Sequence, residues 1–427
     1  MKASIDREAL IREETIPSHE ASGRVLAHAV HARYSSPTFH SAAMDGYAVN
    51  ARSTFAAREG HPLTLKAGET CFAVNTGHPM PEGCDAVIMI EQVMLDGGSV
   101  TIEAPAFPWQ HVRRIGEDIV ATELLFPRNH QLRPWDVGAL LSGGIWDVPV
   151  WERVTVRIIP TGDEVLDFTT HPDPGKGQVV ESNSQMLAAL ARELGCVVER
   201  AAPVPDNPEA LHQALKDSLD AGRHLTIFCA GSSAGSKDFT RATLEKEGEI
   251  LTHGIAAMPG KPSLLANCRG RLVAGAPGYP VSALVCFKEL LEPLISWHRE
   301  PPAKTVVPVE LTRTVPSRPG VEEHVRVSIG RVGDKLVATP LGRGAGNITT
   351  VTRAQGDVRI PEQAEGLNEH AVVPAELSVS EAELDRILVC VGSHDNTLDL
   401  LADELMGLPE PFRFASTHVG SMGGITA

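Results

Sequence analysis

Aromatic residues are scarce, at 4% of 427 positions, and no apolar run comes near the ~20 residues that span a bilayer. A membrane-crossing helix is thereby excluded, and a chain in solution is expected. Paired cysteines are missing as well: the seven, at 71, 84, 196, 229, 268, 286 and 390, are scattered and never form CxxC. That pattern argues against a disulfide framework and against a zinc site, and most of the seven sit in apolar runs that suit buried thiols. Positive charge is the third deficit. With 38 Lys and Arg against 54 Asp and Glu, the formal charge of -16 disfavours nucleic acid and anionic membranes as partners. The 17 histidines include no HxxxH or HExxH pair. The start, "KASIDREALIREETI", lacks the apolar core of a secretory signal, so a cytoplasmic location is expected.

What is present is length enough for roughly two to four domains and a succession of textures. Residues 1–150 are turn-rich and strand-rich, with helical patterns confined to "REALIREETI" and "WDVGALLSGG". From about 151 short β-branched runs ("VTVRIIP", "HLTIFCAG", "RLVAGAPG") alternate with amphipathic helices, which predicts a parallel sheet covered on both faces. In "SNSQMLAALARELG", Ser182 or Ser184 is available as N-cap and Gly195 follows the last turn; in "DNPEALHQALKDSL", Asp206 is the expected cap. "REPPAK" reads as a linker into a small all-β domain. After about 384 the opening of another α/β unit appears, "RILVCVG" then "HDNTLDLLADEL" then "FRFASTHVG", a piece too short to bury much core and expected to be poorly packed.

Ligands of parallel sheets collect at the carboxyl ends of the strands. That directs attention to "IPTGDEV" with Asp163 and Glu164, to "CAGSSAGSKDF", whose backbone N–H groups suit a phosphate or pterin carbonyl, and to "GAPGYP". The second of these is neither a P-loop nor GxGxxG. Asp163 or Glu164 is a candidate to hold a divalent ion together with bound phosphates, or else caps a helix. Earlier in the chain, "HSAAMDGYAV" clusters small residues around Asp45, either a turn-capping Asp or an acid facing something bulky and polar. "NTGHPMPEG" forms a rigid polar loop at Thr76. "VRRIGEDI" is either a salt-bridged turn or an anion clamp, and "MPGKP" supplies Lys261.

Singly these motifs are weak, but in this order and spacing they closely resemble the molybdopterin molybdenumtransferase family (MoeA, gephyrin E-domain), from about residue 5 to 378. The resemblance implies an α/β plus β multidomain fold. Its parts are a helical linker domain (1–38 and 128–150), an inserted β domain (39–127), a three-layer αβα molybdopterin-binding domain (151–300) and a C-terminal β domain (305–378), in a homodimer. Residues 385–427 resemble the truncated start of a periplasmic-binding-protein-like domain.

The activity implied is insertion of molybdate into adenylylated molybdopterin with release of AMP, assisted by Mg²⁺, at a site between the α/β domain of one subunit and the β domain of the other. The molybdopterin adenylyltransferase that supplies the substrate is a further implied partner. On matching positions the resemblance implies Asp45, Glu164 and Asp118 as catalytic, with Asp45 and Glu164 at the metal. Thr76, Arg113, Asp206, Gly231, Ser232, Ser233, Gly235, Asp238, Lys261, Pro277, Gly278 and Arg326 are implied for substrate. Two positions depart from the family pattern: Met258 stands where a Lys is common, and Ala345 where a Ser is frequent. Arg326 or Arg343 is expected to compensate for the missing cation. A non-catalytic molybdopterin- or oxyanion-binding scaffold on the same fold is the alternative reading.

Overall fold

The computed structural model describes residues 11–229, 239–296, 303–418 and 420–422, with the side chain of His418 left aside. They divide into two compact units: Glu13–Glu152, and a second made of the chain up to Arg12 together with everything from Arg153 onward.

The first unit is built from small antiparallel sheets. At its centre β1 (Gly46–Val49) lies between β2 (Cys71–Val74) and β3 (Ala86–Met89). A separate sheet pairs Ser99–Ile102 with Leu63–Lys66 and Val93–Asp96. Val49, Ile88, Val100 and Ile102 fill the core between the two. Gly46 is required by a close approach, since a Cβ there would stand 2.0 Å from the carbonyl oxygen of Ile88.

The helical pattern over 7–16 ends differently from expectation. Residues 1–10 lie outside the described segments, and Glu13–Pro17 is a strand paired antiparallel with Asp147–Trp151. Tertiary pairing overrides the helix preference of the glutamates here, because Ile16 joins Val148 and Val150 in a shared core. The helix α1 (Pro134–Ser142) adds Leu140 to that core.

In the second unit a six-stranded sheet runs β5-β4-β6-β9-β8-β7, with β4 Thr155–Pro160, β5 Val197–Arg200, β6 Leu225–Cys229, β7 Gly248–His253, β8 Leu264–Cys268 and β9 Arg271–Ala276. The first four in this order are parallel, as expected, but β8 and β7 extend the edge antiparallel. A two-residue turn causes it: Arg269 and Gly270 both have positive φ, 51° and 77°, the twist that lets β8 fold straight back as β9.

Helix α2 (Asn183–Glu193) packs on β4 and β5, while α3 (Pro208–Asp220) and α4 (Phe239–Glu247) cover the opposite face through Leu211, Leu215, Leu219 and Leu244. Gly195, at φ 78°, ends α2 as anticipated: its N–H bonds Arg192 O and the N–H of Cys196 bonds Ala191 O. Two cap assignments change. Asn207, not Asp206, caps α3 by accepting from the N–H of Ala210 at 2.7 Å. At α2 the side chain of Ser182 makes no capping bond, and buried Glu181 accepts from the N–H of Ser184 at 2.7 Å instead.

Helix α5 (Pro280–Cys286) follows β9 and runs into a π-helical turn, Phe287–Leu291. Beyond it β10 (Val306–Leu311), β11 (Glu322–Val332), β12 (Lys335–Pro340), β13 (Gly356–Ile360) and β14 (Val372–Leu377) close into a barrel, because β11 pairs with both β12 and β13. The segment after 384 is poorly packed over most of its length, as expected, since the helix Asn396–Met406 buries none of its residues, but its first strand is anchored. Leu384 and Ile387 are buried in the barrel core, and Val389, on the strand Ile387–Gly392, fits against Gly330, where a Cβ would meet it at 2.1 Å. Five of the seven cysteines are buried, as expected of thiols in apolar runs.

Candidate active site

Within the first unit, four candidate residues sit on interlaced segments. The pair Ser41–Ala42 runs antiparallel to Val112–Arg113. The N–H of Gly77 donates to Ala42 O at 2.8 Å, and that of Ala43 to His111 O at 2.8 Å. Asp45 and Thr76 thereby meet: Asp45 Oδ1 accepts from the Thr76 N–H at 2.6 Å and from its hydroxyl at 3.0 Å. The backbone bond first and the hydroxyl second hold this exposed carboxyl below the usual carboxylate range, with His78 adding a smaller effect of the same sign.

Arg113 is exposed, its Nε 3.5 Å from Glu117 Oε1, while Glu117 Oε2 accepts from the N–H of Arg114 at 3.0 Å. Asp118 is also exposed, and its backbone N–H reaches Ser36 O at 3.1 Å. An ionised Asp, an Arg and a second acid thus lie on one loop cluster.

In the second unit the chain runs from β4 outward to β5 and returns to lay β6 on the other side of β4. The crevice at the carboxyl ends of β4 and β6 is therefore a topological switch point. Thr161, just past β4, is buried and bonds Cys229 O, at the end of β6, through its N–H at 2.9 Å and its hydroxyl at 3.2 Å. Glu164 follows three residues later with its side chain exposed and its carbonyl accepting from Val179 N–H at 2.9 Å. Asp163 reaches across to accept from the backbone N–H of Asp206 at 3.1 Å, bringing that half-buried acid to the same rim.

Residues missed in the sequence hold this loop. Arg200 binds Asp167 at 3.1 Å and Glu181 at 3.4 Å, and its guanidinium lies 4.5 Å from the Phe168 ring centre. The only signal was an acid just ahead of a Ser-rich helix start.

Buried Pro277 and exposed Gly278 follow β9, and Gly278 O accepts from Asn183 Nδ2, on α2, at 2.8 Å. Exposed Lys261 belongs to a turn seated on α5, where a Cβ on Gly260 would stand 3.1 Å from Val285. Ala345 O accepts from the Val281 N–H at 3.0 Å, so the 342–347 loop also reaches α5. Gly231, Ser232, Ser233, Gly235 and Asp238 lie outside the described residues.

Arg326 requires a correction. It is 4% exposed, and its donors are committed to Thr350 Oγ1 at 3.0 Å, Gly342 O at 2.8 Å and His324 O at 3.4 Å. Arg343 is likewise bound to Pro316 O and, at 3.2 Å, to Glu323. Neither guanidinium stands ready to replace the cation missing at Met258, because both donate to protein oxygens, Arg326 from a buried position and Arg343 from an exposed one.

Comparison with known proteins bears on both units. Residues 2–144 match the MoeA N-terminal region (domain I and II), 157–297 a probable molybdopterin binding domain, and 308–377 the MoeA C-terminal region (domain IV). A molybdopterin molybdenumtransferase of Haemophilus influenzae is 32% identical over 329 residues, 71% of this chain and 78% of that protein. The chain belongs to the MoeA family. Another MoeA-type relative, molybdopterin molybdenumtransferase 2 of Mycobacterium tuberculosis, is 34% identical over 308 residues, 66% of this chain and 74% of that protein. A crystal structure of a molybdopterin biosynthesis MoeA protein from Pyrococcus horikosii superposes with a TM-score of 0.72 at 29% identity, covering 86% of this chain and 94% of that one. The MoeA fold expected from the motifs, with its α/β domain and C-terminal β domain, is the fold observed.

Among the described residues no three His, Cys, Asp or Glu are grouped to cage a metal, and none of the helices is long and apolar enough to cross a membrane. The exposed carboxylates of Asp45 and Glu164 are nevertheless the hard oxygen donors that suit Mg²⁺, which is commonly held by one or two carboxylates together with substrate phosphates.

Proposed function

We propose that this chain is a molybdopterin molybdenumtransferase of molybdenum cofactor biosynthesis. It takes adenylylated molybdopterin and molybdate, places molybdenum on the dithiolene sulfurs, and cleaves the phosphoanhydride so that AMP leaves. The observation that carries this reading is the acidic loop at the switch point, Thr161 pinned to Cys229 and Glu164 left open to solvent, in a chain matching the MoeA family in both units.

Each residue has a task. Glu164 of one subunit and Asp45 of the other would hold Mg²⁺, which when bound offsets the charge that develops on the cleaved phosphates. Thr76 holds the Asp45 carboxyl below its ordinary pKa and fixes the oxygen that is not free. Arg113 and Lys261 supply counter-charge to molybdate and phosphate, both dianionic groups suited to charge-assisted bonds. Asp118 and Asp206 border the substrate, as do Pro277 and Gly278. Gly231, Ser232, Ser233, Gly235 and Asp238 provide the phosphate- or pterin-facing loop. The boundaries proposed for the linker, inserted β, molybdopterin-binding and C-terminal β domains are those given by the motifs, and residues 385–427 are read as the start of a further, periplasmic-binding-protein-like domain. A cytoplasmic homodimer fed by a molybdopterin adenylyltransferase completes the reading.

Met258 favours a second reading, a scaffold that binds the ligand without turning it over. Incubation with adenylylated molybdopterin, Mg²⁺ and molybdate separates the two. Molybdate-dependent AMP release is expected, and normal substrate binding without release would leave the scaffold.

A further inference from the structure

The loop before Arg113 carries a feature that neither packing nor backbone preference explains. Trp109 has φ 67° and His111 φ 51°, left-handed conformations that suit glycine and disfavour a bulky side chain. Burial does not compensate, since Trp109 is 42% exposed and neighbouring Phe107 70%. The loop is nonetheless firmly tied. Trp109 N–H donates to Asp85 O at 2.7 Å, Phe107 N–H to Gln110 Oε1 at 2.9 Å, and Val112 N–H to Trp109 O at 3.3 Å.

The indole lies against the ring of His40, with centroids 4.8 Å apart and planes at 50°. His40 in turn accepts the Ile115 N–H at Nδ1, 3.1 Å, which in the neutral ring places its proton on Nε2. An exposed Trp109 with a strained backbone, backed by the half-buried His40 ring, thus stands beside the ladder that carries Arg113 opposite Ser41, four residues before Asp45.

We propose that Trp109, backed by His40, is a stacking platform for a planar nitrogen heterocycle of the substrate. This rests on the functional reading above, under which the substrate carries two such rings, a pterin and an adenine, joined by the phosphates that Arg113 would meet. Stacking on an exposed indole tolerates either ring, and strain at Trp109 is consistent with a residue retained for a ligand rather than for stability.

The test uses the full chain and two probes, 5′-AMP and 6-hydroxymethylpterin, titrated calorimetrically against wild type, Trp109→Phe and Trp109→Gly. Glycine fits the backbone, so the thermal midpoint of Trp109→Gly is expected to stay level or rise. Its affinity for at least one of the two probes is expected to fall about tenfold or more, with Trp109→Phe losing only a few-fold. With substrate, KM should rise while kcat changes little.

The proposal is overturned if Trp109→Gly binds both probes as wild type does, or if wild type binds neither. It is also overturned if the affinity loss comes with a lowered thermal midpoint, or if only the oligomeric state changes. AMP release with an unchanged KM in Trp109→Gly would remove the platform and leave the transferase. No AMP release by wild type, with probe binding still dependent on Trp109, would remove the transferase and leave the platform.

Discussion

Asp45 and Thr76, 31 residues apart, meet at a single oxygen: both the N–H and the hydroxyl of Thr76 donate to Asp45 Oδ1, at 2.6 and 3.0 Å. One carboxylate oxygen is thereby fixed and the charged form of the acid is favoured down to a lower pH than usual. Thr76→Val removes the hydroxyl but leaves the N–H. The carboxyl pKa should rise part of the way toward its ordinary value of 3.8, readable by carbon-detected NMR titration. Because the folded value is depressed, whatever stability this contact gives is present above the unfolded pKa and is lost as pH falls through the folded one. At pH 7 Asp45 stays ionised in the variant, so turnover should fall only a few-fold, against the near-complete loss expected for Asp45→Asn.

Gly46 tests the packing that positions Asp45. A methyl group there would stand 2.0 Å from Ile88 O, a backbone atom that cannot move aside. Gly46→Ala should lower stability by about 1–3 kcal/mol, seen as a reduced denaturation midpoint.

His324 makes the second unit acid-sensitive. It is 8% exposed at a cavity lined also by Lys288 and Glu289 of the π-helical turn and by Arg326, Asp357 and Arg359; among the described residues its Nε2 makes no hydrogen bond, and Glu322 Oε1 stands 3.5 Å away. Burial first, and then Arg359, push its pKa below 6.5, against the opposing pull of Glu289, Glu322 and Asp357. The unfolded chain therefore binds this proton more readily than the folded one. Stability should be intact above pH 6.5 and decline as pH falls from there toward the lowered folded value. His324→Gln should flatten the thermal midpoint between pH 7 and 5, and an unchanged slope would assign the acid sensitivity elsewhere.

Met258 is half-buried and lies in register with Glu323 of the barrel. With Arg326 and Arg343 both committed to protein oxygens, the missing cation has no substitute among these two. Met258→Lys should lower the KM for molybdate by roughly tenfold, equivalent to ~1.4 kcal/mol.

Much of this architecture was legible in the sequence because its cues are local. Gly195 ends a helix where a glycine at positive φ belongs, and "VTVRIIP" and "HLTIFC" are adjacent parallel strands. What escaped depends on distant partners. Arg269 takes a left-handed turn conformation that its side chain does not advertise, so β9 was legible in "RLVAGAPG" while its antiparallel partner β8 was not. Glu13–Pro17 owes its strand conformation to residues 147–151, and Leu384, Ile387 and Val389 owe their packing to a barrel face opened by Gly330. Arg326 was implied by the family resemblance, but the sequence carried no sign of its inward orientation. At the site, the motifs identified the acids and left open which neighbour each would meet. Asp45 with Thr76 and Asp163 with Asp206 are pairings of the fold alone.

The central claim is that Asp45 from one subunit and Glu164 from another serve the same phosphoanhydride cleavage. Asp45→Asn and Glu164→Gln are each expected to be inactive alone in molybdate-dependent AMP release. Mixed and allowed to exchange subunits, they should regain about a quarter of wild-type activity, because a mixed pair contains one intact site. A mixture that exchanges subunits and yet stays as inactive as its components would contradict the account.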